Sequence, residues 1–193
     1  MEIDDELRNI LNSGKTVLLV WDVQNMLVQG IFNTESFLTN TKSVIISARE
    51  HNVPVFFSKI TPLPERFESP VRKYFFRKRI SSMKQVPNGL DLAIEPKDID
   101  VVIPKNTASM FVGTNFEQLL RNAGITTIVI TGIATDIGVE STARDAGNRG
   151  FFPVIITDAV SSASQEAHNR SIENMKNMTI QLKTEEIISV WKK

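Results

Sequence analysis

The stretch from Val129 to Gly150 constrains the fold more than any other part of this chain. It reads V-I-T-G-I-A-T-D-I-G-V-E-S-T-A-R-D-A-G-N-R-G, which predicts the end of a buried strand, a turn through 132–135 and a helix over 136–149. A strand that delivers its carboxyl end to a helix N-terminus gathers unpaired N–H groups and the positive end of the helix dipole in one place. Ligands of open α/β sheets bind at such carboxyl ends, so we expect a site here.

Apolar runs and helical spacing alternate along the rest of the chain. The apolar runs predict strands at 16–23, 53–59, 99–105, 125–131, 151–159 and 179–182. Helical spacing predicts helices at 4–12, 34–51, 115–123 and 164–177 and from Thr184 onward. Alternating strands and helices pair in parallel through right-handed crossovers. We therefore predict an α/β fold, a three-layer α/β/α sandwich with a mainly parallel central sheet, as a single domain over 1–193.

Three residues give local expectations within these elements. Thr114 and Thr184 are predicted to cap the helices that follow them, since a threonine hydroxyl can accept a hydrogen bond from a free N–H group of the first turn. Pro153 has no N–H group to give to a sheet, so the strand at 151–159 is predicted to lie at an edge or to carry a bulge.

Composition excludes several classes of function. The chain has 22 basic and 22 acidic residues, so its zero net charge gives no support for a nucleic acid or a membrane as partner. The absence of cysteine excludes disulfides, thiolate metal sites and cysteine nucleophiles. The acidic N-terminus and the lack of a long apolar run predict a cytoplasmic protein. Little charge opposes self-association, so we expect a homo-oligomer, a dimer or a tetramer.

Metal and nucleotide cofactors also lack sequence support. His51 and His168 stand alone, at a predicted helix end and in a predicted surface helix, without the spacing of a metal-ligand cluster. No G-x-G-x-x-G follows a strand and no P-loop occurs. We therefore expect no metal and no cofactor, and a small molecule as the substrate.

Polar residues stand at three predicted strand ends. Asp22 lies at the end of the first strand, Lys105 ends the third, and the turn that leads to Gly138 follows the fourth. Tips of neighbouring parallel strands lie within about 5–10 Å of each other, so an acid and a lysine can share one pocket and exchange a proton. An ordinary salt bridge that closes the end of the sheet explains Asp22 and Lys105 equally well. Gly138 taken alone is explained by helix packing, and Asp158 by capping of a turn.

The segment 60–80 carries prolines early and basic residues late, which predicts a long surface loop that passes into a helix or an irregular turn. Long loops of this kind often cover a site. The basic run 72–79 is interleaved with aromatic residues, and in a neutral chain it favours an amphipathic helix or an oligomer contact over RNA binding.

Three ordered motifs resemble one known family over nearly the whole chain, from about Thr16 to Asp158. They are D-x-Q-N after the first strand, P-K-N-T-A-S-M-F-x-G-T after the third, and T-G-I-A-T-D-I-G-V-E-S-T-A-R-D-A-x-x-R-G after the fourth. Together they resemble the isochorismatase-like hydrolase superfamily, which includes isochorismatases, nicotinamidases and N-carbamoylsarcosine amidases. Most members carry a cysteine nucleophile at the position that Gly138 occupies here.

The resemblance implies a site and its residues. Asp22 and Lys105 correspond to the catalytic acid and lysine, and Ile133-Ala134 to a non-proline cis peptide. Gln24, Ala134, Thr135 and Gly138 are expected to contact the substrate, and Arg66 or Arg72 to hold a carboxylate. Without a thiol at 138 the thioester route is closed, which favours isochorismatase chemistry.

The implied reaction is hydrolysis of an isochorismate-like enol ether, with Asp22 as general acid and Lys105 as its orienting partner. The helix N-terminus near Gly138 is expected to accept a further anionic group. Two alternatives stay open: a member without catalysis that binds a small carboxylate or a protein partner, and an amidase in which Asp22 activates water.

Overall fold

A six-stranded sheet forms the centre of the computed structural model, which describes residues 4–74 and 86–192. The strand order is β3-β2-β1-β4-β5-β6, and every neighbouring pair is parallel. The strands are β1 Thr16–Trp21, β2 Val55–Ile60, β3 Val101–Lys105, β4 Thr127–Ile133, β5 Phe152–Ser161 and β6 Ile180–Leu182. The predicted parallel sheet is confirmed.

Helices cover both faces of the sheet. In chain order they are α1 Asp5–Ile10, α2 Asn25–Val28, α3 Thr34–Glu50, α4 Phe116–Asn122, α5 Glu140–Asn148, α6 Gln165–Met175 and α7 Thr184–Trp191. Apolar residues of α1, α3 and α7 pack in the core on one face, and those of α4, α5 and α6 pack on the other. The three-layer α/β/α sandwich predicted from the alternation of elements is therefore confirmed.

The two cores follow from the alternation of side chains along each strand. In β1, Leu18 and Val20 enter one core, whereas Leu19 and Trp21 enter the other. All six residues of β1 are buried, as its unbroken apolar sequence predicts for a strand covered on both faces. None of the helices within the described ranges is long and apolar enough to cross a bilayer.

The strand order places a topological switch point beside β1. The chain runs from β1 outward to β2 and β3 and then returns across the sheet to β4, on the other side of β1. Crevices at the carboxyl ends of strands on either side of such a point are the usual ligand sites of open α/β sheets. Asp22 follows β1 and the Ile133–Ala134 peptide follows β4, so both lie at this crevice.

Some local expectations are wrong in detail. Pro153 lies in β5, which is between β4 and β6, so the predicted edge position is excluded. β6 pairs only with residues 154–156 of β5, so no strand needs an N–H group from Pro153 on that side. The register between β4 and β5 does shift, but after Ile130 and away from Pro153. The N-caps of α4 and α7 are Asn115 and Lys183 instead of Thr114 and Thr184. The Thr114 hydroxyl nevertheless accepts from the Phe116 N–H group of the first turn at 3.1 Å, as predicted.

The predicted loop at 60–80 is described as far as residue 74. It contains a 3-10 turn at Glu65–Phe67 and is helical over 70–74. The remainder of that loop, 75–80, lies outside the described residues, as does most of the basic run 72–79.

Candidate active site

Asp22 is held at the end of β1 by partners from two other strands. Its backbone has a φ of 46°, and its N–H group donates to Ser58 Oγ at 2.9 Å. Ser58 Oγ in turn donates to Asp22 Oδ1 at 2.5 Å, while Lys105 Nζ donates to Asp22 Oδ2 at 2.5 Å. Each carboxylate oxygen therefore has its own donor, one from β2 and one from β3.

Lys105 reaches Asp22 from the edge of the sheet. It ends β3, and β2 lies between β3 and β1, so the long side chain extends over β2 beside Ser58. Its ammonium also donates to Thr107 O at 3.1 Å and lies 4.0 Å from the centre of the Trp21 ring. The structure thus brings together the acid and the lysine that the sequence paired.

Burial sets the proton affinity of this pair. Asp22 is 3% exposed and Lys105 4% exposed. Burial raises the pKa of Asp22 above its ordinary value, although the Lys105 ammonium and Ser58 pull in the other direction. Burial likewise lowers the pKa of Lys105 against the opposing pull of Asp22. Because the two pKa values move towards each other, a proton moves between these groups and a bound molecule at a lower cost than in water.

Trp21 fills the space beside Gly138. A Cβ atom built on Gly138 would lie 2.5 Å or less from Nε1, Cε2 and Cζ2 of the indole, whereas real Cβ atoms keep about 3.0 Å or more from other heavy atoms. A Cβ on Gly132, which has a φ of +123°, would meet the backbone of Trp21 in the same way. Gly138 thus makes room for the indole, whereas Gly132 allows the close approach of the β1 and β4 backbones, and the substrate contact predicted for Gly138 has no space on this side.

The side chain of Gln24, which was expected to contact the substrate, is hydrogen-bonded to backbone groups of the chain. Its side chain is fully buried, and its amide nitrogen donates to Ile60 O at 3.2 Å and Leu90 O at 2.6 Å. Its amide oxygen accepts from the Ile60 N–H group at 2.9 Å. These bonds occupy both ends of the amide, so in this structure Gln24 joins the segment after β1 to the end of β2 and to Leu90.

A cavity of 500 Å³ lies on the other side of the turn after β4. Met26, Leu27 and Ile31 line one wall, and Ile133, Ala134 and Asp136 line the other. Among the described residues that line it, Asp136 alone carries a charge. Asp22 and Lys105 do not line this cavity, so the polar pair and the open space are separate parts of the site.

The wall of the cavity is built from the turn itself. The Ile133–Ala134 peptide bond is cis, and a π-helical turn at Thr135–Val139 follows and leads into α5. Thr135 is fully buried and points away from solvent, with its hydroxyl 2.9 Å from His168 Nδ1. Ser171 Oγ donates to Thr135 O at 3.1 Å, so α6 holds the turn at two points.

His168 lies on the buried face of α6, whose other residues are mostly exposed, as the sequence predicts for a surface helix. Only 9% of it is exposed, and its ring packs edge-on against Phe32, with 5.4 Å between the ring centres. Burial lowers its pKa below the ordinary value, and the nearby Asp136 opposes this effect. His168 therefore supports the turn as a neutral hydrogen-bonding partner of Thr135.

The arginines predicted to hold a carboxylate differ in their surroundings. Arg72 donates to Asn106 Oδ1 at 2.8 Å, and its charge lowers the pKa of both Asp22 and Lys105, although less than burial and the two partners affect these values. Arg66 lies over the ring of Phe67, 5.9 Å from its centre. Arg72 therefore acts on the polar pair, and no contact joins Arg66 to it among the described residues.

Two further acids, Asp158 and Asp145, have structural partners. Asp158 Oδ1 accepts from both the N–H group and the hydroxyl of Thr184 at 2.9 Å, so it caps α7. Asp145 Oδ2 accepts from Ser109 Oγ at 2.5 Å. These contacts favour the structural explanation that the sequence had left open for Asp158.

Trp21, Ser58 and His168 are the site residues that the sequence did not indicate. Trp21 and Ser58 stand inside apolar runs that already explain them as strand residues. The one available signal was the position of Trp21 directly before Asp22, at a strand end that a glycine-containing turn faces. Its value depends on knowing that β1 and β4 are neighbours.

Known proteins match this chain in sequence and in fold. The sequence model of the isochorismatase domain family matches residues 16–186 of this chain. The chain is 34% identical over 174 residues to the uncharacterized isochorismatase family protein YecD of Escherichia coli O157:H7, which covers 86% of this chain and 89% of YecD. It is 42% identical over 85 residues to the ureidoacrylate amidohydrolase RutB of Methylorubrum extorquens, covering 42% of this chain and 34% of RutB.

A solved structure shares the fold over nearly the full length of both chains. It is a cysteine hydrolase from Pseudomonas syringae pv. phaseolicola, with a TM-score of 0.85, 18% identity and 94% of each chain covered. At this level of identity the likeness shows the arrangement of strands and helices alone.

Proposed function

Since the chain belongs to the isochorismatase family of hydrolases, we propose that it hydrolyses an enol ether of isochorismate type without a protein nucleophile. Asp22 is the general acid, and Lys105 orients it and binds a polar group of the substrate. Gly138 carries no side chain that could form an acyl-enzyme, so the reaction uses water directly.

The reaction begins with transfer of the Asp22 proton to the vinyl carbon of the substrate. The carbon that bears the ether oxygen becomes an oxocarbenium ion, and a water molecule adds to it. The hemiketal formed in this way breaks its carbon–oxygen bond to give a ketone and an alcohol. The proton lost by water returns to the Asp22 carboxylate, which restores the acid.

The observation that carries this proposal is the buried arrangement of Asp22, Lys105 and Ser58. A carboxyl group whose pKa is raised by burial retains its proton nearer to neutral pH, which is what a general acid needs. Lys105 Nζ and Ser58 Oγ, each 2.5 Å from one carboxylate oxygen, stabilise the anion that remains after proton transfer.

Turnover of isochorismate and of a small panel of enol ethers by the Asp22→Asn variant tests the proposal. Asparagine keeps the shape of the side chain but has no acidic proton, so we expect kcat to fall about 100-fold or more. Asp91→Asn is the matched control, because Asp91 forms an exposed pair with Lys59 and should leave kcat unchanged. Equal rates for Asp22→Asn and the parental chain would contradict the assigned role.

A second candidate function is ligand binding without turnover. The observation that favours it is the separation of the 500 Å³ cavity from Asp22 and Lys105, which are almost fully buried. In that case small carboxylates or other ligands would raise the melting temperature while neither enol ethers nor amides are consumed. The amides belong in the same panel, because the similarity to a ureidoacrylate amidohydrolase keeps a water-based amidase open.

A further inference from the structure

Trp21 has an environment unlike that of the other apolar residues in β1. One face of the site presents Gly138, whose missing side chain leaves the volume that the indole occupies. The Lys105 ammonium lies 4.0 Å from the centre of the indole ring. Trp21 is 1% exposed, so water does not replace either contact.

We propose that Trp21 is a positioning residue of the site, whose indole fills the volume of the absent nucleophile and holds the Lys105 ammonium against Asp22. This inference rests on the proposed function, because that proposal makes Asp22 and Lys105 the reacting pair that Trp21 positions. An aromatic face attracts a cation most strongly where water is excluded. The Lys105 ammonium donates to the Thr107 carbonyl and to the Asp22 carboxylate, and the Trp21 ring is its third contact.

The arrangement also explains how the chain accommodates Gly138. A cavity left at the position of a lost side chain destabilises a core, and a larger neighbour that fills it removes that cost. Here the residue that fills the space is the neighbour of Asp22 in sequence, and its aromatic ring also lies against Lys105. A cysteine introduced at position 138 alone would therefore have no room.

The first experiment compares Trp21→Phe with Trp21→Leu, which lose similar volume but differ in the aromatic face. The pKa of Lys105 is measured from the NMR titration of its labelled Cε. We expect it to be lower in Trp21→Leu than in Trp21→Phe by about half a unit or more, since the charged ammonium loses a cation–π partner. The same pKa in both variants would overturn the positioning role.

A second measurement leaves Trp21 in place and so does not depend on the folding of these variants. The chain has two tryptophans, and Trp191→Phe assigns the indole N–H resonance of Trp21. We expect this resonance to move with the same midpoint as the Lys105 Cε titration. An indole resonance that stays fixed while Lys105 loses its proton would show that the ring does not sense the ammonium, and the inference would fail.

A third experiment tests the shared volume. The chain has no cysteine, so Gly138→Cys introduces one thiol whose reaction with a thiol reagent reports that position alone. We expect Gly138→Cys to lower the melting temperature and Trp21→Val/Gly138→Cys to recover part of the loss and react faster. Gly138→Cys with parental stability would contradict the filling of this volume by Trp21. None of these measurements uses a substrate, so their failure is separate from failure of the Asp22→Asn assay.

Discussion

The turn after β4 has a small residue on each of two sides, and the space beside that residue is filled on one side and open on the other. On the closed side, at Gly138, the indole of Trp21 fills the space of the missing side chain. On the open side, at Ala134, a cavity of 500 Å³ remains. The two residues also differ in backbone, since Ala134 is extended and Gly138 lies within the π-helical turn Thr135–Val139, and different groups pack against each of them.

The ionisable pair and the cavity lie on different sides of this turn. The closed side holds the ionisable pair, which gains its altered proton affinity from being shielded. The open side is mainly apolar and carries one acid, Asp136, among its described lining residues. An apolar cavity with few polar groups is typical of a small-molecule site.

The largest effect is expected from removing the cation on the closed side. Lys105→Met leaves Asp22 buried and without its ionic partner, which should lower the free energy of unfolding at neutral pH by about 3–5 kcal/mol. Because the Lys105 ammonium lowers the pKa of Asp22 in the parent against the rise caused by burial, removing it raises that pKa further. The folded variant therefore gains more than the parent from protonation of Asp22, and the deficit should shrink as pH falls towards 4. Denaturant unfolding at several pH values measures both effects.

Lys59→Met provides the exposed counterpart. Lys59 and Asp91 pair at 3.3 Å with side chains that are 33% and 64% exposed. Surface pairs of this kind contribute about 1 kcal/mol or less. If Lys105→Met cost no more than Lys59→Met, the closed side would not be shielded from water in solution.

The next effect concerns the volume on the closed side. Gly138→Ala adds one methyl group that overlaps the Trp21 indole, and we expect a loss of about 3 kcal/mol in the free energy of unfolding. Gly147→Ala is the matched control in α5, because its added Cβ would have no neighbour within 4 Å. Alanine is favoured over glycine in a helix, so this control should be neutral or up to about 1 kcal/mol more stable. Equal stability of the two variants would show that the indole moves aside freely.

The sequence predicted the closed side only in part. The sheet, its parallel order and the meeting of Asp22 with Lys105 follow from apolar runs that end in polar residues, because parallel strands present their carboxyl ends at one edge. The contact between Trp21 and Gly138 joins residues far apart in sequence. Neither residue departs from what a buried strand or a helix start ordinarily contains, so periodicity carries no signal for it.

The open side was less predictable for a related reason. His168 stands among polar neighbours in a sequence typical of a surface helix, yet it is buried because the turn after β4 presents the Thr135 hydroxyl to it. The same limit applies to Gln24, whose amide forms three hydrogen bonds to backbone groups instead of standing free for a ligand. Such pairings depend on how segments meet in space, which a single sequence does not encode locally.

A smaller effect is expected from the residue that supports the open side. The pKa of His168 is lowered by burial from 6.5, so the unfolded chain takes up a proton near pH 6.5 and the folded chain only at lower pH. Between these values the unfolded state binds more protons, and the free energy of unfolding must fall as pH falls. His168→Gln should remove this contribution, so the free energy of unfolding of the variant should fall less between pH 7 and 5 than that of the parent. Parallel curves for variant and parent would contradict the buried neutral imidazole.

The smallest effect on stability is expected where the open side is filled. Ala134 lines the cavity with extended backbone at φ −104° and ψ 143°, a conformation that larger residues also adopt. Ala134→Leu should therefore change the free energy of unfolding by about 1 kcal/mol or less, in contrast to Gly138→Ala on the other side of the turn.

Ala134→Leu should affect ligand binding strongly although it affects stability little. A leucine at 134 takes part of the 500 Å³ that a small molecule would occupy, so any compound that raises the melting temperature of the parent should lose most of that effect in Ala134→Leu. Ala123→Leu, at the end of α4 and outside the residues that line the cavity, controls for added apolar surface. A compound that stabilises parent and Ala134→Leu equally would bind elsewhere, and the division into a closed side with the ionisable pair and an open binding side would not hold.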